Sequence, residues 1–172
     1  LTMRRVATDL GAGAMSLYRH VADRDDLLVG MMDHVALHIP PPAGQADDRE
    51  EIVTILMTLH RAFRQDPWVV HVLLFEGRGS LKTLPLFDRL FGALARLGCD
   101  PVQAIDHYSM LLHYAYGESL SYQTKDRRRA AQSDWSEDAY AGFPATRAIS
   151  EAVPTWAYDE FERNIRRLVS TI

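Results

Sequence analysis

Apolar side chains recur along this chain at three- and four-residue steps, the period of helices, and nowhere alternate persistently enough for a strand. The clearest stretch is Asp47 to Gln65, where Ile52, Ile55, Leu56, Leu59 and Phe63 share one face. Asp66-Pro67 stops it, because proline removes a backbone donor and clashes with the preceding turn. Trp68 to Phe75 predicts a short apolar helix, closed by Glu76-Gly77-Arg78-Gly79. Ser80 is placed to cap a helix running to Leu97-Gly98, with Leu84, Phe87, Leu90, Phe91, Leu94 and Leu97 as its buried stripe. Asp100-Pro101 is an N-cap and first-turn pair for the longest helix, to about Tyr122. A polar loop is expected over Lys125 to Glu137, then helical segments over Ala145 to Ala152 and Thr155 to Ser170. The fold class is all-α.

The chain's beginning carries shorter elements. Thr2 to Leu10 predicts a helix that buries Met3, Val6, Ala7 and Leu10. Gly11 follows where a helix stop needs the left-handed backbone angles that glycine reaches cheaply. A second helix is expected from Ala14 to Val21, bearing Met15, Ser16, Tyr18, Arg19 and His20, with Leu17 and Val21 turned inward. A third runs from Arg24 to Ile39, with Asp25 and Asp26 favourable at its N-terminus and Leu27, Leu28, Met31, Met32 and Val35 on one side. Two short helices joined at a glycine form a helix-turn-helix layout, whose second helix can enter a DNA major groove. The competing reading is a core hairpin that merely contains glycine, and packing alone does not explain Tyr18-Arg19-His20 followed by Arg24. Pro40-Pro41-Pro42-Ala43-Gly44-Gln45 is the clearest break, dividing the chain into units 1–40 and 41–172.

Charge changes the picture. The whole 172-residue chain carries −4, which alone argues against a nucleic-acid partner. Arg4, Arg5, Arg19 and Arg24 against Asp9 and Asp23 nevertheless give residues 1–24 a balance of +2. The other 15 basic and 21 acidic side chains leave the remainder at −6. A basic head on an acidic body suits a sequence-reading regulator. The single Cys99 rules out an intramolecular disulfide and suits a reducing compartment. No signal peptide and no apolar run long enough to span a bilayer is present, so a cytoplasmic protein without membrane partners is expected.

The residues L-T-x-R-x-V-A-x-x-L-G-x-G-x-x-S-L-Y-R-H-V-x-x-R-x-x-L-L, spanning Leu1 to Leu28, resemble the DNA-binding domain of the tetracycline-repressor (TetR) family of bacterial regulators. Small, apolar, aromatic and basic positions match together. Members of that family carry a further helix before this motif, so the resemblance implies a chain that is trimmed or only partly ordered at its start. It implies double-stranded operator DNA as partner, with Arg4 pairing to a guanine and Ala14, Met15 and Ser16 facing bases. Tyr18, His20 and Arg24 match positions that hold phosphates, and Thr2 adds a contact. Arg19 stands where the family varies and is a specificity position; Arg5 reads as a solvated helix charge.

The family's remaining helices bind a small-molecule effector and form a homodimer. Three further segments resemble it weakly: the D-P-W after the first amphipathic helix, L-G-x-x-P before the long one, and F-E-x-x-I-x-x-L-V-x-x-I at the end. Phe161, Ile165, Leu168, Val169 and Ile172 form an apolar stripe that a monomer would leave exposed. The resemblance implies that the helices over Asp100 to Tyr122 and Thr155 to Ile172 pair across a two-fold axis as a four-helix bundle, with a dimer interface at this stripe. The alternative is that this stripe closes the monomer's own core. An effector pocket wants apolar and aromatic walls with a few polar groups. Its expected lining is Met57, His60, Phe63, Arg64, Trp68, His71 and Phe75, then Phe87 and Phe91, then His107, Met110, Leu111 and Tyr114. His60 and Arg64 stand one turn apart, placed to grip an anion or carbonyl.

Enzyme chemistry finds no support in the motifs: GxSxG, HExxH, a strand-borne GxGxxG and a P-loop are all missing. No cofactor is expected and no metal site is assigned, while the resemblance leaves open a metal-chelated ligand held through His60, His71 or His107. His34 and His38 are spaced i, i+4 without a further ligand nearby, and Arg127-Arg128-Arg129 reads as a solvated loop. The expectation is a ligand-responsive transcriptional repressor that binds a palindromic operator as a homodimer and is released by its effector. The alternatives are a ligand-independent regulator, an activator, and an all-α ligand-binding protein or enzyme with a vestigial helix-turn-helix.

Overall fold

The computed structural model of the chain describes residues 2–124, 142–152 and 160–172, the last three of the middle stretch by backbone alone. Among these residues every regular element is helical. α1 (Met3–Asp9) and α2 (Ala14–Leu17) form the head, and α3 (Arg24–His38) leads away from it. α4 (Asp48–Gln65), α5 (Trp68–His71) with a π-helical turn over Val72–Glu76, α6 (Leu84–Arg96) and α7 (Pro101–Gln123) build the body. α8 (Pro144–Ala152) and α9 (Phe161–Val169) close the chain. The polar loop expected over Lys125–Glu137 and the first turns of the helix expected from Thr155 lie outside the described residues.

α4 is the central element, packed on α6, α7 and α9. Ile52, Ile55, Leu56 and Leu59 are at most 2% exposed, and they meet Leu90, Leu94, Leu111 and Ile165 in one continuous core. Side-chain caps set the helix starts. Asp23 accepts from the Asp26 amide at 2.8 Å and Asp47 from the Glu50 amide at 2.9 Å. Asp100 and Gln103 form a reciprocal capping box at the start of α7, which satisfies amides that have no partner inside the helix. The proline-rich connection is anchored by Glu51. Its carboxylate accepts from the Gln45 amide at 3.0 Å and from Arg89 Nε at 2.7 Å, while Arg89 Nη1 donates to the Pro42 carbonyl at 2.8 Å.

Four sequence expectations are corrected. α2 ends at Leu17 instead of Val21, because its last bonds tighten to i→i−3, from the Arg19 amide to Ser16 and from the His20 amide to Leu17. Leu10, expected inside, is 66% exposed; it is the C-cap of α1, just before the chain turns at Gly11 (φ 63°). Leu84 is exposed rather than part of the α6 stripe; it starts the helix beside the 3₁₀ turn Leu81–Thr83. The fourth concerns the terminal stripe. Phe161, Ile165 and Val169 are 2%, 0% and 1% exposed within the single chain, and Leu168 and Ile172 pack half-buried at the edge of the same core. The stripe closes the monomer's own core against α4 and α7.

Candidate DNA-reading head and effector cavity

α1 starts where Thr2 Oγ1 accepts from the Arg5 amide at 3.3 Å, and ends where the Ala12 amide reaches back to Ala7 at 2.9 Å across Gly11. Those bonds fix the turn that delivers α2. Met3 and Ala7 are buried, and α1 packs on α2. α2 in turn offers its side chains to solvent: Met15 is 77% exposed, Tyr18 is 48% exposed, and Ser16, Arg19 and His20 are exposed as well. Ala14, Leu17 and Val21 are half-buried. Arg4 and Thr2 are exposed on α1. Arg5 is held by Asp9 one turn on, at 2.9 Å, which suits a surface helix charge. Arg24 behaves differently from the rest of the set, because its guanidinium meets Glu76.

The expected effector lining divides among three places. Phe63 and Phe87 share a cavity of about 350 Å³ bounded by α3, α4, α6, α7 and the loop after the π-helical turn. Its wall includes Met32 and Val35 from α3, Ile39 just after it, Leu73, and Tyr108 and Tyr116 from α7. Hydroxyls of Ser80, Thr83, Tyr108 and Tyr116 are the polar groups in a lining without charge. Phe87 meets Tyr108 edge-on at 5.5 Å, and Phe91 packs behind that ring at 5.1 Å. Burial pushes the Tyr108 and Tyr116 hydroxyls above the ordinary tyrosine range, so both stay neutral donors.

Met57, His60 and Arg64 instead border a separate cleft of about 340 Å³ with Arg61, Phe161 and Glu162. His60 is 3% exposed; its Nε2 pairs with Glu118 and its ring stacks on Phe161. Arg64 lies over the Tyr122 ring at 3.6 Å, a cation–π contact. The joint grip by His60 and Arg64 is therefore not formed, since His60 already has a carboxylate partner. Trp68 lines a third cleft, of about 870 Å³, between α3 and α4. His71 and Phe75 stack on each other at an exposed edge. Leu111 lies in the core, Tyr114 accepts from Asn164 at 2.9 Å, and Met110 faces outward with 43% exposure. His107 is half-buried on α7 and is not in the wall of these cavities.

Sequence reasoning missed Tyr108, Tyr116, Ser80 and the α3 residues of the 350 Å³ cavity. The α7 sequence is apolar nearly all round, with Leu112 and Ala115 inside and Val102 and Ile105 outside, so its periodicity gives no phase. A Tyr108–Leu112–Tyr116 spacing is the signal that marks the inner face. His38 Nδ1 donates to the His34 carbonyl at 2.7 Å. Among the described residues no group of three metal-binding side chains occurs, and no helix is long and apolar enough to cross a membrane.

No family model matches the chain. It is 25% identical over 184 residues to the HTH-type transcriptional repressor DrrR1 of Streptomyces coeruleorubidus, covering 98% of this chain and 68% of that protein. It is 26% identical over 152 residues to an HTH-type transcriptional regulator of Saccharopolyspora erythraea, covering 84% of this chain and 64% of that one. Among solved structures it superposes on the TetR family protein ActR of Streptomyces coelicolor in complex with actinorhodin. There the TM-score is 0.74 and the identity 21%, over 99% of this chain and 86% of that one. The chain has the fold of the TetR-family transcriptional regulators. In TetR terms, α1 and α2 are the helix-turn-helix and α4 to α9 belong to the helical body.

Proposed function

We propose that this TetR-like chain is a transcriptional repressor that reads a palindromic operator as a homodimer and releases it when a small molecule fills the 350 Å³ cavity. Residues 1–40 act as the DNA unit and 41–172 as the effector and dimerisation unit. The observation that carries the reading is α3: the helix that begins at Arg24, a candidate phosphate contact of the head, supplies Met32 and Val35 to the wall of the cavity, with Ile39 just past its end. A ligand with different affinity for two placements of α3 shifts their populations, and with them the spacing of the two heads.

Arg4, Met15 and Ser16 are assigned to base edges. Thr2, Tyr18, His20 and Arg24 are assigned to phosphates, and Arg19 to specificity. The relative DrrR1 is named a repressor and ActR is described with actinorhodin bound, and both descriptions support a ligand-responsive regulator. The neutral, aromatic lining suits an uncharged, flat effector. The Tyr108 and Tyr116 hydroxyls are the donors it offers to acceptors on that effector, since Ser80 and Thr83 already donate to Asp33 and to the Ser80 carbonyl.

Of the two helices the resemblance pairs, the outer face of α7 is the assigned dimer surface, because Phe161, Ile165 and Val169 of the terminal stripe are already buried within the chain. Val102, Ile105 and Met110 are 68%, 47% and 43% exposed and share that face with Ser109, His113 and Gly117 at helical spacing. An apolar strip along the longest helix is what a symmetric helix pair buries.

Footprinting of the full-length protein on the DNA upstream of its own gene tests the reading. The expected result is protection of an inverted repeat, lost in Tyr18→Ala. Protection without sequence preference contradicts it.

A further inference from the structure

Three polar links tie the end of the π-helical turn and the loop after it to α3. Arg24 Nη1 and Nη2 donate to the two carboxylate oxygens of Glu76 at 3.1 and 2.6 Å, a bidentate fork. Arg78 donates to Asp25, and Ser80 Oγ donates to Asp33. The same stretch is a wall of the effector cavity, through Leu73 before the loop and Gly79, Ser80 and Leu81 after it. Its backbone is unusual: the widened turn over Val72–Glu76 stops at Gly77 in the left-handed region, φ 61°, and single π-turns cluster at functional positions.

We propose that Glu76 competes with a DNA phosphate for the Arg24 guanidinium, so that the cavity-lining loop sets DNA affinity without touching DNA. The inference rests on the DNA-binding reading above. A guanidinium fork grips one bidentate oxyanion at a time, and a carboxylate and a phosphate each present two oxygens that fit it. Both side chains are reachable, at 36% and 38% exposure, so the exchange requires no unfolding. The Arg24 hydrogen bond holds the Glu76 carboxyl below its ordinary range, so the competitor is a carboxylate at neutral pH. A surface ion pair is weak, which lets a polyanion displace it. An occupant pressing on Leu73 or Ser80 acts on the segment that positions Glu76, and the competition is thereby open to the effector.

The test uses the full-length protein, a mixed-sequence duplex and fluorescence anisotropy across a salt series, with wild type, Glu76→Gln, Arg24→Gln and the double variant. Glu76→Gln is expected to bind about three- to tenfold tighter at low salt, with a salt dependence steeper by about one phosphate contact. Arg24→Gln is expected to weaken binding, and adding Glu76→Gln to it is expected to change nothing. Equal tightening in both backgrounds assigns the effect to net charge and overturns the competition, as does an unchanged affinity in Glu76→Gln. Should the glutamine variant fail to fold, Glu76→Ala gives the same comparison. Wild-type protein that binds no duplex at any salt overturns the DNA-reading surface itself, and the inference with it.

Discussion

The ring of His60 lies flat on Phe161, 3.8 Å between centroids and 10° from parallel. That stack joins the central helix α4 to the terminal helix α9, and Glu118 on α7 holds His60 from the other side. Tyr114 on α7 stacks on Phe161 as well, 5.6 Å between centroids. Three helices thus meet at one aromatic layer inside a single chain.

The stability of the body therefore depends on Phe161 irrespective of dimerisation. Phe161→Ala is expected to cost about 3–5 kcal/mol, the range for emptying a buried aromatic site. Denaturant unfolding at several protein concentrations measures it. A loss that vanishes at high concentration would return α9 to a subunit interface.

Charge placed on the outer face of α7 should separate the subunits without unfolding them. Ile105→Glu with Met110→Glu sets like charges across a symmetric interface and removes its apolar area. Sedimentation is expected to show a monomer with unchanged helical content. A dimer that persists places the interface elsewhere.

Alkaline pH should weaken the fold through Tyr116. Its hydroxyl is raised above the ordinary range chiefly by burial. The neutral form is therefore favoured in the folded state, and the contribution is fully present below the unfolded value, about 10. It is lost as pH rises from there toward the folded value. Thermal unfolding at neutral and strongly alkaline pH should show a drop that Tyr116→Phe reduces. An equal drop in both proteins would sink the assignment.

Arg4→Ala is expected to cost about 1–3 kcal/mol of operator affinity and to relax one base position. Binding to an operator set varied one base pair at a time reads this directly. A uniform loss across the set would make Arg4 a phosphate contact instead.

Local chemistry made the head and most helix boundaries legible in the sequence. Asp100 caps α7 as its place before Pro101 predicts, and Gly11 takes the left-handed angle its stop requires, while Thr2, Asp23 and Asp47 cap helices whose starts the pattern places within a residue. The partners of each face were not legible. The stripe of α9 has the same spacing whether it meets another subunit or α4, and only three-dimensional packing puts Phe161 on His60. The cavity escaped for a related reason: its walls come from residues far apart in the chain, such as Met32, Ser80 and Tyr116, none of which stands out locally. The pairing of Arg24 with Glu76 spans 52 positions and leaves no local pattern.

The most direct test of the central claim is the affinity of the full-length protein for DNA upstream of its own gene, set against a scrambled duplex across a salt series. The account predicts dimeric binding that prefers the upstream sequence by at least about 10³-fold and weakens with salt as phosphate contacts do. A verified folded dimer that binds both duplexes equally would contradict it.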